Sequence, residues 1–359
     1  MTYSLYDIEL SFILILMAVF FLFGLRKREV KVEGFTGIDL SMSQALKGIA
    51  CVLILMGHFC SRLKTMSEAT PFSTLVYMTT ANVALSLFMY FSGYGLSVKP
   101  KNGGGYLTIW YKRIKKVYIP LLLVCFISMA LYVVLPVKFS IEESETLQVS
   151  KDIIYIHNFS PNYLKILFVH LFGWNDWYVL CIMIFYSLYY LSLSLTKNNP
   201  STQTFALWLM MVAYFIFAFI YFGKAEAHWY RYCWTFFLGH VHGKVVQIGK
   251  TNRWDLSMLL VLFGTILFEA LYMKLSYFMA IFIIVLCSII NKKYLMHSSL
   301  LAFMGGISYF FYLSHERIGY LLISYINCHS VIAWVALCIL ISMVLKKMYS
   351  QINRILTVS

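Results

Sequence analysis

Long apolar stretches recur about eleven times along this chain, near residues 8–25, 44–60, 74–97, 117–135, 176–195, 204–222, 231–247, 256–273, 277–290, 300–324 and 331–348. A soluble fold has no interior large enough for so many. In lipid, by contrast, an α-helix satisfies its own backbone hydrogen bonds and crosses a hydrocarbon core of about 30 Å in about 20 residues. Only the ninth stretch, 277–290, is short for a full span. The expected fold is therefore all-α: a polytopic integral membrane bundle of about eleven transmembrane helices. Composition agrees, with 61% of the 359 residues hydrophobic and 12% charged. That charge fraction is about half of what a soluble domain carries. No polar stretch is long enough to build a separate soluble core.

The formal charge of +14 would suit nucleic acid, but the cations do not gather on one soluble face. They cluster between apolar runs, as the positive-inside rule expects of cytoplasmic loops. The clusters are Leu25–Lys31, Lys99–Lys116, Gly243–Arg253, Asn291–Lys293 and Lys346–Lys347. All five fall on one side if there are eleven helices. The acidic Glu142–Glu145 falls in the longest opposite loop, around 136–163. The N-terminus, with Asp7 and Glu9, is then outside and the C-terminus cytoplasmic. Positive charges follow the first apolar run instead of preceding it, so it reads as a retained helix, not a cleaved signal. The eight cysteines are scattered through apolar segments without a Cys-x-x-Cys pair, which points to buried thiols and to no metal.

Certain polar residues sit where oil is expected. In "LKGIACVLILMGHF", Lys47 and His58 are eleven positions apart. That is close to three helical turns, so both lie on one face, roughly 16 Å apart. Two readings are open: a snorkelling lysine with a polar helix end, or one wall of a functional cavity. "GISYFFYLSHERIGY" adds Ser308, Tyr312 and His315 at i, i+4 and i+7, a polar stripe on one face. With this topology both helices run from inside to outside, and both histidines fall in the middle or outer membrane. An imidazole there can act as a general base, or merely bond a neighbouring carbonyl. "YKRIKKVYIP" (Tyr111–Pro120) places four cations in five residues before a helix whose regular core is expected to begin around Pro120. Arg113 and Lys116, at i and i+3, suit phosphates, although such clusters also serve topology and anionic lipid. The small residues of "YFSGYGLS" (Tyr90–Ser97) permit close helix packing. "NDWYVL" sets Trp177 and Tyr178 in an interfacial belt, with Asn175 and Asp176 facing the mouth of any cavity.

Together these elements resemble the membrane-bound acyltransferase family 3, which includes bacterial polysaccharide O-acetyltransferases. "KGIACVLILMGH" has the family's spacing of ten residues between a cation and a histidine, with Lys47 in place of arginine. "FMYFSGYGLS", "KRIKKVYIP", "DWYVL" and "ISYFFYLSH" resemble its other signatures, in order, over about residues 43–350. Residues 1–42 then form an added helix and linker, and 351–359 a short cytoplasmic tail. Lys47 and Lys116 keep a charge but lose the guanidinium fork.

The resemblance implies a membrane O-acyltransferase, expected in the bacterial cytoplasmic membrane among lipids. Acetyl-CoA is the implied donor, and no metal is required. The implied acceptor is a hydroxyl of an extracytoplasmic polysaccharide or glycolipid. Lys47, Arg113 and Lys116 would bind acyl-CoA. His58 would act as general base or, in a variant mechanism, carry the acyl group. His315 would share the catalytic centre, with Ser308, Tyr312 and Asp176 supporting the acceptor or the oxyanion. Two rivals stand beside it: a transporter or flippase without covalent chemistry, and a glycan polymerase or ligase. No inverted repeat or matching pair of broken helices supports the first, and the short acidic outer loop does not favour the second.

Overall fold

The computed structural model describes residues 4–29, 37–98, 105–134, 177–197, 199–223, 226–248 and 276–358. Among them are ten α-helices: α1 (Leu5–Phe23), α2 (Leu40–Thr65), α3 (Pro71–Val98), α4 (Tyr106–Val134), α5 (Trp177–Leu195), α6 (Pro200–Phe222), α7 (Cys233–Ile248), α8 (Ser276–Lys293), α9 (Ser299–Ile326) and α10 (Val331–Val358). The expected helix at 256–273 lies outside the described residues. Six helices (α1, α2, α3, α5, α6 and α10) are long and apolar enough to cross a membrane. The long helix α9 falls short of that apolarity because it carries the polar stripe together with Glu316 and Arg317. The protein is a polytopic all-α membrane protein.

Three details differ from the sequence reading. Helix α4 starts at Tyr106, so the basic cluster lies on its first turns, and Pro120 sits inside the helix instead of opening its core. Proline removes one backbone donor, and membrane helices tolerate this when neighbours supply polar partners. One residue beyond the Lys116 carbonyl that loses its helical donor to Pro120, the Tyr309 hydroxyl of α9 donates to the Val117 carbonyl at 2.6 Å. The last helix, expected to end near 348, continues to Val358, so residues 351–358 extend α10. Lastly, a two-stranded antiparallel ribbon, β1 (Leu25–Lys27) with β2 (Tyr294–Met296), joins two of the basic clusters.

That ribbon belongs to a polar staple at one end of the bundle. Arg28 pairs with Asp39 at 3.0 Å and donates through Nε to the Asn291 carbonyl at 2.8 Å. Asn291 in turn donates to the Gly37 carbonyl at 2.7 Å. Asp39 also caps α2 by accepting from the Met42 amide at 2.8 Å, a charge well placed against the helix dipole. At the other end, Asp7 accepts from the Thr70 hydroxyl at 2.7 Å and Glu9 from the Val331 amide at 2.8 Å. Both acids tie α1 to the start of a neighbouring helix. The outer face of α1, with Ile8, Phe12 and Ile15, remains exposed as a lipid-facing surface would be.

Lipid offers no hydrophobic drive to pair helices, so close backbone approach must do it. A Cβ on Gly93 of α3 would lie 2.0 Å from the Phe236 carbonyl of α7, and one on Gly239 would lie 2.0 Å from the Tyr90 carbonyl. The small-residue signal in "YFSGYGLS" is thus used, through Gly93. Helices α2 and α9 meet in the same way. A Cβ on Gly48 would lie 2.5 Å from the Leu301 carbonyl, and one on Gly305 would lie 2.1 Å from the Gln44 carbonyl. All eight cysteines are free, and all but Cys328 are buried.

Candidate active site

The glycine contact between α2 and α9 sets the depth of the two histidines. The helices run in the same direction, and each histidine follows its contact glycine by ten residues: Gly48 to His58, and Gly305 to His315. Ten residues of helix rise about 15 Å, so both imidazoles arrive at one level. Their ring centroids are 4.8 Å apart, with the planes inclined at 66°. The sequence expectation that these side chains share a cavity agrees with this geometry. The cavity measures about 50 Å³ and is lined by Ile54, His58, Trp177, Tyr312, His315 and Glu316, among others.

The histidines are held differently. His315 is 3% exposed, and its Nδ1 lies 2.5 Å from the Tyr312 carbonyl. A carbonyl only accepts, so Nδ1 carries the proton and Nε2 presents a lone pair. That Nε2 is buried with no hydrogen-bond partner among the described residues. The His315 carbonyl receives the Trp334 indole N–H at 2.6 Å, which fixes the turn from below. The His58 side chain is 39% exposed, and its Nδ1 lies 3.8 Å from the Glu316 carboxylate. That is longer than a hydrogen bond but close enough to stabilise an imidazolium. Glu316 was passed over in the sequence reading, although a carboxylate inside an apolar helix carries the same functional signal as a histidine. Only the packing of α9 on α2 aims it at His58.

A second, larger cavity of about 190 Å³ lies beside the first. Lys47, Ser92, Tyr186, Ser308 and Tyr309 line it together with Tyr312, which also borders the histidine cavity. Tyr312 therefore stands between the two spaces, with its ring 5.0 Å from Tyr178 and 5.6 Å from His315. The expected polar stripe is real but divided. His315 serves one cavity, Ser308 the other, and Tyr312 both. The Ser308 hydroxyl also donates to the Gly305 carbonyl at 2.8 Å. Lys47 is half-buried and lines the larger cavity, with its ammonium 5.5 Å from the Phe91 ring centroid.

The basic pair on α4 separates. Arg113 faces the tyrosines of α5, within hydrogen-bonding reach of Tyr190 and near Tyr186, which lines the larger cavity. Lys116 is exposed, and Val117 lines the cavity instead. Arg113 itself lines neither cavity: at i and i+3 the two cations diverge, Arg113 half-buried against α5 and Lys116 exposed. Asp176 and Asn175 lie outside the described residues.

A helical bundle with an apolar perimeter and ionisable groups around internal cavities defines an integral membrane protein. The family model of the acyltransferase domain Acyl_transf_3 matches residues 37–345, and the chain belongs to that family. The protein is accordingly an acyltransferase, with α1 lying before the matched span. No curated protein matches the chain, nor does any solved structure.

Proposed function

We propose that the protein moves an acetyl or similar acyl group from cytoplasmic acyl-CoA to a hydroxyl of an extracytoplasmic polysaccharide or glycolipid. The observation that carries the reading is the pair of cavities joined at Tyr312. One holds Lys47, and the other holds His58, His315 and Glu316. The ribbon and staple gather basic segments at the Lys47 end, which the positive-inside rule assigns to the cytoplasm. Donor phosphates would meet Arg113 and Lys47, with Lys116 as an outlying cation, and the thioester would reach past Ser308 to Tyr312.

His58 acts as general base. Its imidazole takes the proton of the acceptor hydroxyl as the oxygen attacks the thioester carbonyl. The C–O bond forms, the C–S bond breaks, and CoA leaves as a thiolate that is then protonated. Glu316 stabilises the imidazolium formed in that step. Tyr312 is suited to donate to the oxyanion, a role of the kind that preorganised donors fill, while the Nε2 lone pair of His315 accepts from a neighbouring hydroxyl of the acceptor and so orients it. The protein sits in the bacterial cytoplasmic membrane as a bundle of about eleven helices with its N-terminus outside.

The test is the O-acetyl content of surface polysaccharide in cells carrying the wild type or His58→Ala at matched membrane levels. Loss of acetyl with the variant present is the expected result. Equal acetylation would overturn His58 as base, and a wild type that adds no acetyl relative to cells without the protein would restore the transporter reading.

A further inference from the structure

Away from the basic ribbon, three segments distant in sequence build an aromatic platform beside the histidine cavity. Trp177, the first residue of α5, lines that cavity. Its indole stacks on the ring of Tyr232, with centroids 5.8 Å apart and planes inclined by 20°. The imidazole of His228 approaches the same indole at 4.7 Å. Tyr232 is buried and its hydroxyl donates to Asn82 Oδ1 at 3.1 Å, so the ring behind Trp177 is fixed. At the rim, His228 Nε2 lies 3.2 Å from a Glu226 carboxylate oxygen, and the two side chains are 32% and 52% exposed.

An indole serving only to pack would be surrounded by apolar side chains. This one is backed on one side, borders a cavity, and has planar hydrogen-bonding groups at its edge. A pyranose ring has the complementary surface: an apolar C–H face to lie on the aromatic plane and a rim of hydroxyls for imidazole and carboxylate. A lipid chain would leave the Glu226–His228 pair unused. We propose that Trp177, backed by Tyr232 and flanked by His228 and Glu226, is a sugar-binding subsite that holds the acceptor glycan at the mouth of the histidine cavity. Its role as an acceptor site rests on the acyl-transfer reading above; its ability to bind sugar does not.

The experiment uses full-length protein in lipid nanodiscs and, as probe, fluorescently end-labelled oligosaccharides cut from the cells' own surface polysaccharide after alkaline de-O-acylation. Binding is measured without donor for the wild type, Trp177→Ala and Trp177→Phe, and acetyl-CoA binding is measured on the same samples. The expected result is a loss of oligosaccharide affinity of roughly tenfold or more for Trp177→Ala. Trp177→Phe should recover most of it, and acetyl-CoA affinity should be the same in all three. Oligosaccharide affinity unchanged in Trp177→Ala, no binding by the wild type, or a parallel loss of both ligands would each overturn the subsite. Trp177-dependent oligosaccharide binding by a wild type that releases no CoA from acetyl-CoA would keep the subsite and overturn acyl transfer.

Discussion

At the scale of residues, the two cavity histidines are fixed by different partners, and this divides their expected roles. The tautomer of His315 is set by a backbone carbonyl, whereas His58 faces the Glu316 carboxylate across a half-exposed gap. Removing that charge while keeping the shape isolates its contribution. Glu316→Gln should lower kcat for acyl transfer by about 10²-fold, the low end for general-base assistance, with both KM values near wild type. A raised donor KM with unchanged kcat would instead place Glu316 in binding. Lys47 predicts the opposite split: Lys47→Ala should raise the acetyl-CoA KM, and Lys47→Arg should restore it, because an arginine keeps the charge at that site. His228 gives a pH signature. Burial pushes its pKa below the ordinary histidine range, with Arg231 acting in the same direction and Glu226 against both. It is therefore mostly neutral at about pH 6.5 and above, and acceptor affinity should be flat across the neutral and alkaline range. It should change only at lower pH, and His228→Gln should remove that change. A break well above neutrality in the wild type would rule this out.

At the scale of elements, the site depends on how tightly α2 and α9 approach. Two adjacent glycines on α9 separate this from helix propensity. A Cβ on Gly305 would strike the Gln44 backbone at 2.1 Å, whereas one on Gly306 would come no closer than 3.4 Å, to the flexible end of Lys346. Gly305→Ala should destabilise by about 1–3 kcal/mol, as overpacking does, and should cut activity further by parting the histidines. Gly306→Ala should be neutral or slightly stabilising, since alanine is the better helix former. Thermal unfolding and activity of the two variants check the contrast; equal Tm values would refute it. The same reasoning explains why Gly93 and Gly239, at the α3–α7 contact, cannot take a side chain without moving backbone.

At the scale of the molecule, charge placement makes a claim about sidedness. The ribbon brings Leu25–Lys27 and Tyr294–Met296 together, so these two segments must share a side. Single cysteines at the exposed positions Lys27 and Lys112 should react with an impermeant maleimide only after the cytoplasmic face is opened. Cysteines at Lys64 and Glu226, both exposed, should react on intact cells. Labelling of Lys112 from outside would invert the donor path and remove the basis for placing acyl-CoA near Arg113.

The sequence by itself determined the class of fold and much of the site's inventory. Apolar runs specify helices because lipid leaves the backbone no other partner, and ionisable residues stand out there because each is costly to bury. His58, His315, Tyr312, Ser308 and Lys47 were legible for that reason, and nearly all helix positions followed from the same signal. Tertiary structure decided which of these residues meet. Helical spacing orders side chains along one helix but carries no information about the helix opposite. So the matched glycine contacts that level the two histidines, the turn of Glu316 toward His58, and the divergence of Arg113 from Lys116 were not legible in one dimension. The aromatic platform is the clearest case. Trp177 reads from sequence as an interfacial belt residue, and only the packing that sets it on Tyr232 and His228 gives it a working face.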